Sequence, residues 1–135
     1  MREILFRGKR TDNSEWIEGY YCNLGGNHPR VLKENIFIGK IGRVLEFKNI
    51  DVIPETVGQY TGLTDKNGVK IFEGDIVKAF IRYGTQHTKA ITHRSGVFWF
   101  GNWNWVEFID RFQFAEVIGN IYDNPELLKG GIDNG

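Results

Sequence analysis

The chain has 135 residues, with 17 Lys and Arg against 17 Asp and Glu, so it has no formal net charge and is not a polyelectrolyte. At 41% hydrophobic and 14% aromatic with three prolines, it is too apolar for a disordered chain and too poor in proline for an extended linker. A chain of this size forms one small domain or two packed subdomains and buries roughly two thirds of its unfolded surface, without a metal or disulfide staple.

Ile4 to Phe6 is a short apolar run and Trp16 to Cys22 an aromatic-rich one. Both are expected to be strands, and Thr11-Asp12-Asn13-Ser14 between them trades backbone hydrogen bonds for side-chain ones, so the chain opens on a β-hairpin. Leu24 to Pro29, with Gly25-Gly26, is expected to be a loop. Val31 to Phe47 is expected to be extended, since Gly39 and Gly42 would each cost a helix about 1 kcal/mol relative to alanine. Thr56 to Thr61 and Val69 to Phe72 are read as paired strands, joined through Asp65-Lys66-Asn67-Gly68, whose Asn-Gly step favours positive φ.

Glu73-Gly74-Asp75 makes the next turn, and Ile76 to Tyr83 alternates, with Val77, Ala79 and Ile81 on one face and Lys78, Phe80 and Arg82 on the other. Gly84 to His87 leads into a strand pair, Lys89 to Arg94 and Val97 to Phe100, joined at Ser95-Gly96. Trp105 to Phe112 lacks turn formers and is expected to give one or two helical turns, with Trp105, Phe108 and Ile109 on a shared face. Ala115 to Tyr122 returns to β character. Pro125 to Leu128 is expected to be a final helical turn capped by Asn124. Together these predict a mostly β, barrel-like domain over 1–130 with one or two short helical caps and a flexible tail at 131–135. A division of that domain into an N-terminal β subdomain, 1–55, and a barrel-like subdomain, 56–128, is the alternative organisation the sequence leaves open.

The inventory for catalysis is thin. Cys22 is the single cysteine, so it forms no intramolecular disulfide and anchors no multi-cysteine zinc site; buried cysteines are usually inert packing. His28, His87 and His93 match no metal-ligand spacing, and all three are expected to be solvated. No G-x-S-x-G elbow or phosphate-binding G-x-x-x-x-G-K loop is present. Asp65, Glu73 and Asp75 could converge as hard oxygen ligands. Asp65 and Asp75 are better explained as acceptors for backbone N–H groups in turns where Gly68 and Gly74 supply positive φ. No enzyme, cofactor or metal is therefore expected. No apolar run approaches the length of a membrane span, and no N-x-S/T acceptor occurs, so a cytoplasmic protein is expected.

Charge is unevenly distributed along the chain. Lys78, Arg82, Lys89 and Arg94 fall in a stretch with no acid, whereas Glu107 to Asp133 holds six acids against Arg111 and Lys129. The densest aromatic stretch, Phe98 to Trp105, follows the basic one, and alternation sends either Trp99 with Val97 or Phe98 with Phe100 outward. The candidate binding surface is accordingly Lys78, Arg82, Lys89, Arg94, Trp99, Trp103 and Trp105. Its rings either stack on unpaired bases or are covered by the helical cap or by a second protomer. The bland alternative is a solvated strand face with no partner.

Residues 58–78, GQYTGLTDKNGVKIFEGDIVK, resemble the signature of the YopX family, small proteins of bacteriophages and of prophages in Gram-positive bacteria. The opening MREILFRGKRTDNSEWIEGYY and the close EVIGNIYDNPELL, 116–128, resemble the two ends of that family, while 23–49 and 79–111 match no pattern. The resemblance implies a mostly β pseudo-barrel with a helical cap, in the cytoplasm of an infected or lysogenic cell. It carries over no catalytic residue. The expected function is a non-enzymatic accessory protein acting as a protein-interaction or oligomeric module. A single-stranded nucleic-acid-binding barrel using residues 78–105 is the alternative, and no membrane partner is expected.

Overall fold

The protein is mostly β with one short helix in the computed structural model, which describes residues 5–22, 30–39 and 42–128, with the backbone alone for the strand residues between 20 and 49. Ile4, the Leu24 to Pro29 loop with His28, the Cys22 side chain and the 131–135 tail lie outside the described residues. The chain divides into two compact units, Met1–Gln59 and Tyr60–Gly135.

In the first unit, β1 (Phe6–Lys9) and β2 (Trp16–Cys22) form the expected antiparallel hairpin, with Phe6 opposite Gly19 and Lys9 opposite Trp16. Its turn is closed by Arg10 N–H to Glu15 O at 2.9 Å and by the Asn13 side chain accepting from Glu15 N–H, the local bonding that Asn in a turn provides. Then β3 (Arg30–Gly39) and β4 (Gly42–Asp51) pair residue for residue, so the described part of the stretch over Val31 to Phe47 is extended as expected. A short 3-10 turn, Pro54–Thr56, precedes β5 (Gly58–Thr64), whose Gly58 and Gln59 pair with β1.

In the second unit, the remainder of β5 pairs with β6 (Lys70–Phe72) across the DKNG turn. Gly68 and Gly74 take φ of 82° and 93°, and Asp65 and Asp75 accept backbone N–H groups, as their turn chemistry predicts. At Gly74 a Cβ would also lie 3.1 Å from the Tyr122 ring. Gly74→Val is therefore expected to destabilise the fold by about 2 kcal/mol in a denaturant titration, since both backbone strain and a clash oppose it. A neutral result would contradict the turn geometry.

A second antiparallel sheet follows, in the order β10-β9-β8-β7-β11. Its strands are β7 (Asp75–Ile81), β8 (Gln86–Arg94), β9 (Val97–Phe100), β10 (Trp103–Asn104) and β11 (Phe112–Asn120). Val77, Ala79, Ile91, Phe98, Phe100 and Phe112 project from one face into a core that also takes Ile71. The helix α1 (Trp105–Arg111) covers this core through Phe108. Asn104 accepts from Glu107 N–H at 2.9 Å and Glu107 Oε1 accepts from Asn104 N–H at 3.1 Å, a reciprocal cap that starts the helix.

Two expectations are corrected. Ile109 is 54% exposed, so the buried stripe of α1 is Trp105 and Phe108 continuing into Phe112. The final helical turn forms over Pro125–Leu128 as expected, as a 3-10 turn, but Asn124 does not cap it: its Oδ1 accepts from Asn120 N–H at 3.2 Å, behind it in the chain. The sheets are open at their edges, and no closed barrel forms among the described residues.

Candidate functional site

Strand register decides which of the expected surface residues share a face. In β8 and β9, Ile91 lies opposite Phe100 and His93 opposite Phe98, so these point toward the core, while Thr92 with Trp99 and Arg94 with Val97 point outward. Lys78 opposite Thr88 and Phe80 opposite Gln86 share the outward face, as do their β11 partners Glu116 and Gln113.

The structure does not bring the predicted surface together. Lys78, Arg94 and Trp99 are on the outward face. Lys89 lies opposite core residue Val77 and is on the inward side, its aliphatic stem against Gly101. Arg82 sits in the turn after β7, with its N–H donating to Arg111 O at 3.0 Å. Trp103 and Trp105 belong to the aromatic cluster under and around α1. The Trp103 ring is 5.0 Å from Phe112, and the Trp105 ring stacks at 4.9 Å on Phe108.

The outward face is itself divided. About 20 Å of strand, at roughly 3.3 Å per residue, separates the Trp99 level at Thr92 from the Phe80 level at Gln86. Between them Ile76 opposite Ala90 is fully buried, and the Pro125–Leu128 turn packs there, its Leu127 so close to Gly119 that a Cβ would lie 2.9 Å from it. At the Trp99 end the Arg94 guanidinium lies 4.4 Å over the indole, and Trp99 Nε1 donates to Arg94 O at 3.2 Å.

At the other end Phe80, Ile81, Tyr83, Gly84, Gln113 and Phe114 line an open groove of about 440 Å³. Two of its rings stand on unfavourable backbone. Tyr83 has φ of 59° and is fully exposed at the second central position of the Ile81–Gly84 turn, a place glycine ordinarily takes. Phe114 has φ of 58° and is 61% exposed, within the irregularity that interrupts β7–β11 pairing between Gln113 and Glu116. Positive φ at a bulky residue costs about 1–2 kcal/mol. A bulge there re-aims Phe114 outward, where its ring meets Phe80 edge-on at 6.5 Å. Regular alternation would have put it inward with Phe112, so sequence gives no signal for this groove.

The remaining candidate chemistry is structural. Asp65 accepts from Asn67, Val69 and Val117 N–H, and Asp75 from Phe72 N–H. Among the described residues no cluster of His, Cys, Asp and Glu could hold a metal ion. His87, expected to be solvated, is only 8% exposed, because its position in β8 has the same parity as core residue Ile91. Its ring meets Trp103 and Phe112 edge-on, and Nε2 is 2.9 Å from Thr85 Oγ1. His93 is exposed, with its ring against Phe98. No helix among the described residues is long and apolar enough to cross a membrane.

Comparison with known proteins gives one family and a structural relative. The family model described as YopX protein matches residues 5–129. The crystal structure of protein EF1440 from Enterococcus faecalis is similar at a TM-score of 0.61 and 26% identity, covering 95% of this chain and 99% of that one. No curated protein matches.

Proposed function

The chain belongs to the YopX family, and from that membership and the groove we propose that it is a non-enzymatic protein-interaction module, a phage or prophage accessory protein of the host cytoplasm. The phage setting and the location come with the family resemblance; the mode of action comes from the groove. The carrying observation is that Tyr83 and Phe114, both held at positive φ, are displayed on one apolar groove. Strain of this kind persists where exposure of the ring itself is useful. Asp65 and Asp75, two of the three carboxylates considered as hard oxygen ligands, are instead engaged by backbone N–H groups of their turns.

Strain with a functional purpose has a measurable signature. Tyr83→Gly and Phe114→Gly are expected to leave stability unchanged or raise it by up to about 1 kcal/mol, because relief of the positive φ offsets the unfolded-state entropy of glycine. Denaturant midpoints check this, and a loss of about 1 kcal/mol or more in both variants would make the rings structural and overturn the proposal. Light scattering at rising concentration then shows whether the partner is another copy, through a mass that increases in the native protein and not in the variants.

The Arg94–Trp99 pair favours a second reading, single-stranded nucleic-acid binding on the outward face. Since Lys89 is on the inward side, Lys78→Glu with Arg94→Glu is the informative double reversal. On that reading the native protein binds oligothymidylate with an affinity that falls steeply with salt, and the double variant does not bind.

A further inference from the structure

We propose that Asn67-Gly68 is a self-modification site, at which the chain cyclises and hydrolyses to an aspartyl or isoaspartyl link, and that the Asp65 turn keeps it closed in the folded protein. An Asn-Gly step is the one in which the following backbone nitrogen is least obstructed, because glycine has no β-carbon. Both residues are exposed, and a Cβ on Gly68 would meet nothing within 4 Å, so water reaches the step and a five-membered ring has room to close.

The Asn67 side chain is also untethered. Elsewhere Asn13 Oδ1 accepts from Glu15 N–H, Asn104 Oδ1 from Glu107 N–H, Asn120 Oδ1 from Tyr122 and Asp123 N–H, and Asn124 Oδ1 from Asn120 N–H. Among the described residues no hydrogen bond holds the Asn67 carboxamide, so it is able to turn toward the next nitrogen. Asn102 shares that freedom but precedes Trp103, whose side chain obstructs the approach.

The reaction needs only water. Gly68 N gives up its proton to solvent base and attacks Asn67 Cγ; the new C–N bond replaces the Cγ–Nδ2 bond, and ammonia leaves a succinimide ring. Water then opens the ring at either carbonyl. Opening at the α-carbonyl routes the chain through Cβ and Cγ, the isoaspartyl link, which is one methylene longer than the original backbone.

What holds the reaction back is the state of the nucleophile. Gly68 N–H donates to Asp65 O at 3.0 Å, and the N–H groups on either side, of Asn67 and Val69, both donate to Asp65 Oδ1. The nitrogen reacts when this turn opens, so the site records local unfolding. The change is one-way, since an added methylene between two donors to one oxygen and a new carboxylate two residues from Asp65 both oppose closing the turn again. Lys66 N–H donates to Ala115 O at 2.8 Å and Asp65 Oδ2 accepts from Val117 N–H, so the modified turn also loosens β11 beside Phe114, a wall of the groove.

The test incubates the full-length protein in mildly alkaline buffer, native and in urea, and follows Asn67 by peptide mapping, which separates it from the other Asn-Gly step, Asn134-Gly135. Isoaspartate is expected at Asn67 in urea and at least about tenfold more slowly in the native protein, because bonds to a charged carboxylate must break first. Asp65→Ala, or Asp65→Asn should the alanine variant not fold, is expected to speed both the reaction and hydrogen exchange of the Gly68 amide several-fold under native conditions. Equal rates in native and urea-unfolded protein overturn the lock, and a native rate unchanged by these variants overturns Asp65 as its holder. An intact Asn67 in urea overturns the site itself. The isolated isoaspartyl form is expected to unfold at lower denaturant and to shift the amide NMR signals of Phe114 and Ala115; a midpoint and spectrum identical to those of the unmodified chain overturn the effect on β11.

Discussion

Replacing Asp65 with alanine is expected to cost about 3–4 kcal/mol, because one carboxylate serves three backbone donors and hydrogen bonds to charged groups are each worth about 1.5–3 kcal/mol. Oδ1 accepts from Asn67 N–H at 2.8 Å and Val69 N–H at 2.9 Å, closing the DKNG turn. Oδ2 accepts from Val117 N–H at 2.9 Å, 52 residues along, tying that turn to β11. The rehydrated turn recovers part of the first pair, which keeps the total below a simple sum. A loss under about 1 kcal/mol in a denaturant titration would mean that these bonds are dispensable.

The same residue sets a pH dependence. Burial pushes the Asp65 carboxyl up, but the N–H groups of Val117, Val69 and Asn67 and the Lys66 charge together hold it below the ordinary aspartate value. A folded value below the unfolded one means that its stabilisation is fully present above about pH 4 and is lost as pH falls through the lowered folded value. Asp65→Asn is expected to flatten that part of the acid limb, since its amide does not titrate. Unfolding midpoints measured between about pH 5 and pH 2 read this directly, and an unchanged acid slope would remove Asp65 from the account.

What could be read from sequence was whatever is set by local chemistry. Asp65-Lys66-Asn67-Gly68 and Glu73-Gly74-Asp75 declare their turns because the side chains and glycines act within a few residues. The alternation of Val77, Ala79 and Ile81 declares a face in the same way. Facing across strands is not local. Whether Lys89 or Thr88 turns inward depends on β7–β8 register, and that places Lys89 and His87 against the core while leaving Arg94 and Trp99 outside. The helix shows the same limit: Phe108 and Ile109 are equally plausible inward residues by spacing, and only the position of Phe100 and Phe112 chooses Phe108. The groove was invisible for a stronger reason. Tyr83 and Phe114 are both in a backbone conformation that their residue types oppose, so each local preference points away from the observed arrangement.

Phe100→Ala is expected to cost about 3–5 kcal/mol, the range for removing a fully buried ring. The side chain has no solvent exposure and its ring is 4.8 Å from Phe108, 4.9 Å from Phe112 and 6.1 Å from Trp103, so its loss opens a cavity between sheet and helix that three bulky neighbours fill poorly. Trp99, one residue earlier, is larger but projects to the other face, where it has Arg94 above it and is only partly buried. Trp99→Ala is expected to cost about 1 kcal/mol, mostly the cation–π contact and the partial burial. The pair therefore measures register: a slip of one residue would exchange the two faces and the two costs. Should Trp99→Ala prove the more damaging in matched denaturant titrations, the face that carries Phe80 and Gln113 would be the buried one, and the groove could display nothing to a partner.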